Sequence, residues 1–132
     1  LSEPQMMSPE EKRDLICEAL ADAKAVDLVV MDVREVTILA DYFVIGTGTS
    51  SLHIAAIGSG VREHMKRDHG VNCQPEGERE SNWVILDYGD VVVHLFSEAM
   101  RGLYGLEKLW HTAKQHRWED PSAPTEPAEQ PS

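Results

Sequence analysis

The stretch "WVILDYGDVVVHLF", Trp83 to Phe96, decides how the chain is read. "WVILD" and "VVVHLF" are two runs of strand-forming residues joined through Tyr88 and Gly89, the signature of a β-hairpin. Two aspartates, a tyrosine and a histidine interrupt this apolar run, and they belong either to a catalytic site or to a surface that grips a partner. Metal-dependent phosphoryl or nucleotidyl transfer needs two acids on one strand face, typically about two residues apart, to hold divalent ions. Asp87 and Asp90 instead bracket the turn and share no face, and the strand after Asp90 offers only valines before His94. The hairpin points to docking rather than to chemistry.

Upstream, "SPEEKRDLICEALADAKA" opens with Ser8 as N-cap, Pro9 at the first helical position and Glu11 closing a capping box. Leu15, Ile16, Ala19, Leu20 and Ala23 recur on one face, which predicts an amphipathic helix. "DLVVMDV" (27–33) and "DYFVIGTG" (41–48) are short strand-like runs, continuous enough in apolar character for the centre of a sheet. Thr49 or Ser50 caps a second helix that sends Ile54, Ile57, Val61 and Met65 inward and closes at Gly70. Gly58 and Gly60 inside it imply close packing or a weak point, because each costs about 1 kcal/mol against Ala. "VNCQPEGERESN" reads as a short strand followed by a polar loop. After the hairpin, Ser97 caps a last helix or turn in which Leu103, Tyr104, Leu106, Leu109 and Trp110 cover a sheet edge or face.

The order α-β-β-α-β-β-β-α predicts a single α/β domain over residues 8–118, with one mixed sheet of about five strands and helices packed on it. Residues 1–7 read as a loose start. From Glu119 onward the chain holds four of its seven prolines and no aliphatic side chain larger than alanine, so 119–132 reads as a disordered acidic tail.

The chain has 132 residues, 23 of them acidic against 12 basic, for a net charge of -11. Such a surface repels phosphate backbones, which argues against direct nucleic-acid binding and favours a basic protein partner. Cys17 and Cys73 show no zinc or disulfide spacing and read as reduced thiols. No run approaches the roughly 18 apolar residues of a membrane span, and the start lacks signal-peptide order, so the expected location is cytoplasmic.

The remaining chemistry is thin. "GTGTSS", Gly46 to Ser51, runs from a strand into a helix N-terminus and could seat an anion. It lacks the Gly-Lys-Ser/Thr of a P-loop, and Ser51 stands where a dinucleotide fingerprint has its third glycine. The plainer reading is a tight turn plus a cap. His64 and His69, like His111 and His116, are five apart and on a helix turn away from each other, so neither pair is a metal-ligand pair. His53 and His94 read as structural or interfacial. There is no Gly-x-Ser-x-Gly elbow. What stands out is aromatic material near turns: Trp83, Tyr88, Tyr104 and Trp110, residue types favoured at interfaces.

Three blocks, "DYFVIGTGTSSLHIAAI", "PEGERESNWVILDYGDVVVHLF" and "LYGLEKLW", resemble the Iojap-like ribosomal silencing factors, over about Asp27 to Trp110 and in the family's order. The resemblance implies a small α/β fold shaped like a nucleotidyltransferase but without the catalytic acids, hence no enzyme, no cofactor and no metal. It implies binding to the large ribosomal subunit through large-subunit ribosomal protein fourteen, where the bound domain sterically prevents the small subunit from joining and damps translation. Carried over by motif position, the partner-binding residues are Trp83, Asp87, Tyr88, Gly89, Asp90, His94 and Tyr104. Relatives also resemble homodimer formers. Gly58, Gly60 and the long Pro-rich tail depart from the family pattern. Two rivals stay open on the sequence: a nucleotidyltransferase-like enzyme using the Gly46–Ser51 turn with Asp87 or Asp90, and an adaptor unconnected with ribosomes.

Overall fold

The structure is a computed structural model that describes residues 7–79 and 82–119, the side chains of 74–79 apart. Helix α1 (Pro9–Asp22) begins with the full capping box expected: Ser8 Oγ accepts from the Glu11 amide, and the Glu11 carboxylate accepts from the Ser8 amide. Strands β1 (Val26–Asp32) and β2 (Tyr42–Thr47) follow, then helix α2 (Ser51–His69), capped by Ser50 and closed at Gly70 in the left-handed region. Strand β3 (Gln74–Arg79) and the hairpin of β4 (Trp83–Asp87) and β5 (Val91–Phe96) come next. Short helices α3 (Glu98–Tyr104) and α4 (Leu106–Leu109) and strand β6 (Lys114–Arg117) complete the order.

The six strands form one mixed sheet in the order β3-β4-β5-β2-β1-β6, in which only the central β2–β5 pair is parallel. The mixed sheet with packed helices is the architecture expected, with two differences at its edges. β6, "KQHR", carries no apolar alternation because all four residues are exposed on an edge, so its sequence has no strand pattern to detect. β3 falls on "QPEGER", read above as loop; Pro75 and a register shift are tolerated there because the strand is an edge. The terminal stretches expected to be loose lie, but for Met7 and Glu119, outside the described residues.

Alternation along the strands separates two faces. Val84, Leu86, Val91, Val93, Leu95, Val30 and Val44 meet Ile16, Leu20, Ile54, Ile57, Val61 and Met65 of α1 and α2 in the main core. The opposite face is buried mainly over β1 and β2, where Met31, Phe43, Ile45 and Ala113 pack with Leu106 and Trp110, and at Phe96 at the end of β5. Leu106 and Trp110 thus cover the sheet as anticipated, whereas Leu103 and Leu109 point to solvent, 73% and 67% exposed. No helix among the described residues is long and apolar enough to cross a membrane.

Candidate docking surface

The uncovered part of the second face lies on β4 and β5. In register, Trp83 pairs with Phe96, Ile85 with His94 and Asp87 with Val92, so one face carries all six side chains. Trp83, Ile85, Val92 and His94 are only half-buried, and α3 reaches this face through Tyr104 beside Trp83. Their rings form a connected group. Trp83 stacks on Phe96 at 5.2 Å and meets Tyr104 at a tilt with ring centroids 4.4 Å apart, and His94 meets the edge of Phe43 at 5.5 Å. Phe43 in turn takes Trp110 edge-on at 5.6 Å. The result is an aromatic floor with one open side, walled by Tyr104, itself 44% exposed.

His94 is the titratable member of this group. Burial among apolar rings pushes its pKa down to about 4. Its Nδ1 accepts from Trp83 Nε1–H at 3.4 Å, which fixes the neutral ring as the Nε2–H tautomer.

The hairpin tip divides the residues expected to act together. The two loop residues are Gly89 and Asp90 rather than Tyr88 and Gly89: the Tyr88 amide donates to the Val91 carbonyl, and Gly89 takes the first loop position at φ 89°. That one-residue difference puts Tyr88 directly after β4, on the side of the even-numbered Val84 and Leu86. Its ring is 5% exposed and lies in the core under the helices, so it offers nothing to an outside partner. Asp90 is likewise turned to the helix side, where its carboxylate holds Lys12 of α1 at 2.8 Å and its carbonyl accepts from the Asp41 and Tyr42 amides. Asp87 stays on the open-face side, with Oδ1 accepting from the Gly89 amide at 2.8 Å. The two carboxylates therefore share no strand face, as their spacing required. Trp83, His94 and Tyr104 are brought together, Asp87 lies on the same face nearer the tip, Gly89 shapes the tip, and Tyr88 and Asp90 support it from behind. Ile85, Val92 and Phe96 join the surface without having been singled out, although the strict alternation of β4 and β5 marks them.

The Gly46–Ser51 turn is filled by the protein itself. His53 Nδ1 accepts from the Thr49 amide at 2.9 Å, Ser50 Oγ from the His53 amide at 3.0 Å, and the Ser50 carbonyl from the Ile54 amide. A Cβ at residue 48 would lie 2.6 Å from the Ile54 side chain and 3.2 Å from its backbone, so this glycine lets strand and helix meet. His64 and His69 do come together, with rings 5.4 Å apart towards the end of α2, and His64 Nδ1 lies 3.0 Å from Asp68. Cys17 is buried, which pushes its thiol up to about 12, and burial raises Cys73 as well. Neither is poised as a nucleophile.

A family model described as "Ribosomal silencing factor during starvation" matches residues 6–132. The chain belongs to the ribosomal silencing factor family. Ribosomal silencing factor RsfS of Halalkalibacterium halodurans is 35% identical over 108 residues, covering 81% of this chain and 92% of that one. A Mus musculus relative, "mitochondrial assembly of ribosomal large subunit protein 1", is 34% identical over 100 residues, or 74% of this chain and 44% of its own. Among solved structures, a Chromobacterium violaceum protein superposes with a TM-score of 0.75 at 32% identity, covering 93% of this chain and 98% of that one. In this chain the open β4–β5 face carries the connected group of aromatic side chains.

Proposed function

We propose that this silencing factor acts by binding rather than by catalysis. The open β4–β5 face docks on the large ribosomal subunit through large-subunit ribosomal protein fourteen, and the bound domain occupies space the small subunit needs. The observation that carries this reading is the aromatic group of half-buried Trp83 and His94 with exposed Tyr104 on the open side of the β4–β5 face. Large rigid side chains with apolar area and a polar tip are the usual anchors of protein interfaces. The net charge of -11 favours encounter with a basic partner and disfavours bare rRNA. The names of relatives, which carry silencing and the ribosomal large subunit, point the same way. A nucleotide-binding enzyme finds no support in the turn from Gly46 to Ser51, where the Gly48 amide donates to the Phe96 carbonyl and the Thr49 amide to His53 Nδ1.

Sucrose-gradient sedimentation tests the proposal. Added to purified subunits, the protein should migrate with the large subunit and lower the yield of joined ribosomes, and Trp83→Ala should weaken both effects together. Undiminished joining at saturating protein defeats the mechanism, and co-migration with the small subunit alone defeats the choice of partner.

A further inference from the structure

The helices that wall the docking face are poorly anchored by packing. No residue of α3 or α4 is buried, and the apolar contacts of this segment come from the half-buried Met100, Leu106 and Trp110. Arg101, by contrast, is 13% exposed and uses its guanidinium in two directions. Nη1 donates to the Asp27 carbonyl at 2.8 Å and to Thr47 Oγ1 at 2.7 Å, reaching the bulged start of β1 and the end of β2. Nε and Nη2 fork onto the two carboxylate oxygens of Glu107 at 3.2 and 3.0 Å. One planar group thereby joins α3, α4 and two strands, a geometry an ammonium cannot reproduce. Three residues on, and so on the same side of α3, Tyr104 lies against Trp83 at 4.4 Å.

We infer that Arg101 is a positioning residue for the docking surface. It latches the α3–α4 segment to the sheet so that Tyr104 is held as a preformed wall beside Trp83. The inference rests on the docking reading above and assigns a role to a residue that touches no partner. A wall fixed before binding spares the ordering cost that a loose segment would add at the interface. The latch is polar because the segment has too little buried apolar surface to hold itself in place. Thr47, itself buried, supplies an acceptor at the centre of it.

The test is a double-mutant cycle on the full chain. Arg101→Met and Tyr104→Ala should each weaken co-sedimentation with large subunits by about tenfold, and the double variant should lose no more than Tyr104→Ala alone, because both remove the same wall. The Trp83 indole N–H resonance, assigned through Trp83→Phe, should move in Arg101→Met to where Tyr104→Ala puts it, and Arg101→Lys should fall between. Should Arg101→Met not fold, Thr47→Val removes one acceptor of the latch and should shift the same resonance in the same direction. Wild-type affinity in Arg101→Met, or losses that multiply in the double variant, overturn the inference. If the wild-type protein does not bind large subunits, the docking reading fails. The resonance still judges the latch, which is refuted if Trp83 is unmoved.

Discussion

Trp83 donates its indole N–H to Nδ1 of His94 across the β4–β5 pair, one diagonal step apart in the register. The bond needs the lone pair of a neutral ring, and burial keeps the His94 pKa at about 4 against an ordinary value of 6.5. Below 6.5 the unfolded chain takes up a proton that the folded chain resists, so stability should fall between about 6.5 and 4 and then level, by about 3 kcal/mol at most. Asp32, held down to about 2 by its hydrogen bonds from Arg34, adds a second loss as pH falls from about 4 to 2. Urea titrations from pH 7 to 4 check the first limb, and His94→Gln should flatten it. A slope unchanged in that variant places the titrating group elsewhere.

Tyr88 carries a buried hydroxyl with no hydrogen bond of good geometry, its neighbour being the weakly bonding thiol of Cys73. Tyr88→Phe should therefore be neutral or stabilising by up to about 1 kcal/mol, since it removes a desolvated group without leaving a partner unpaired. It should leave subunit binding untouched. A loss of binding with unchanged stability would return Tyr88 to the interface.

Asp90 is tied to α1 through Lys12, whose Nζ also donates to the Tyr88 carbonyl at 3.2 Å. Asp90→Asn should cost about 1 kcal/mol in denaturant unfolding, the worth of a partly buried ion pair, with co-sedimentation retained. The reverse pattern, full stability with lost binding, would show that the carboxylate faces the partner.

Two glycines of α2 separate by what lies beside them. A Cβ at residue 60 meets nothing within 4 Å, so Gly60→Ala should stabilise by about 0.5–1 kcal/mol. At residue 58 a Cβ would stand 3.3 Å from Val84 Cγ1, and the helix gain should be cancelled by that crowding. Thermal midpoints of the two variants should differ in that order; equal midpoints would mean that α2 can shift over β4 at no cost.

Much of this was legible in the residues. The caps of α1 and α2, the inward faces of both helices and the hairpin follow from local pattern, because capping side chains and alternation act over a few residues. Tyr88 differs from its sequence reading because the turn begins one residue later, at Gly89, which takes Tyr88 from the tip to the buried side of the hairpin. β6 was missed because an exposed edge strand needs no apolar pattern. Arg101 left no trace, since its partners Asp27, Thr47 and Glu107 are joined to it only by tertiary structure. Leu103 and Leu109 read as core because periodicity marks apolar residues without saying whether anything lies above them.

The central parallel pair joins residues 42–47 to residues 91–96, and the whole of α2, β3 and β4 must be made before it can close. Until β5 is in place, β2 has no inner neighbour and the aromatic face has no second strand. During synthesis, a chain that stops short of Phe96 displays neither core nor grip. The proposed docking face is thus a late product of the chain, complete only when its last wall, Tyr104, has followed Phe96.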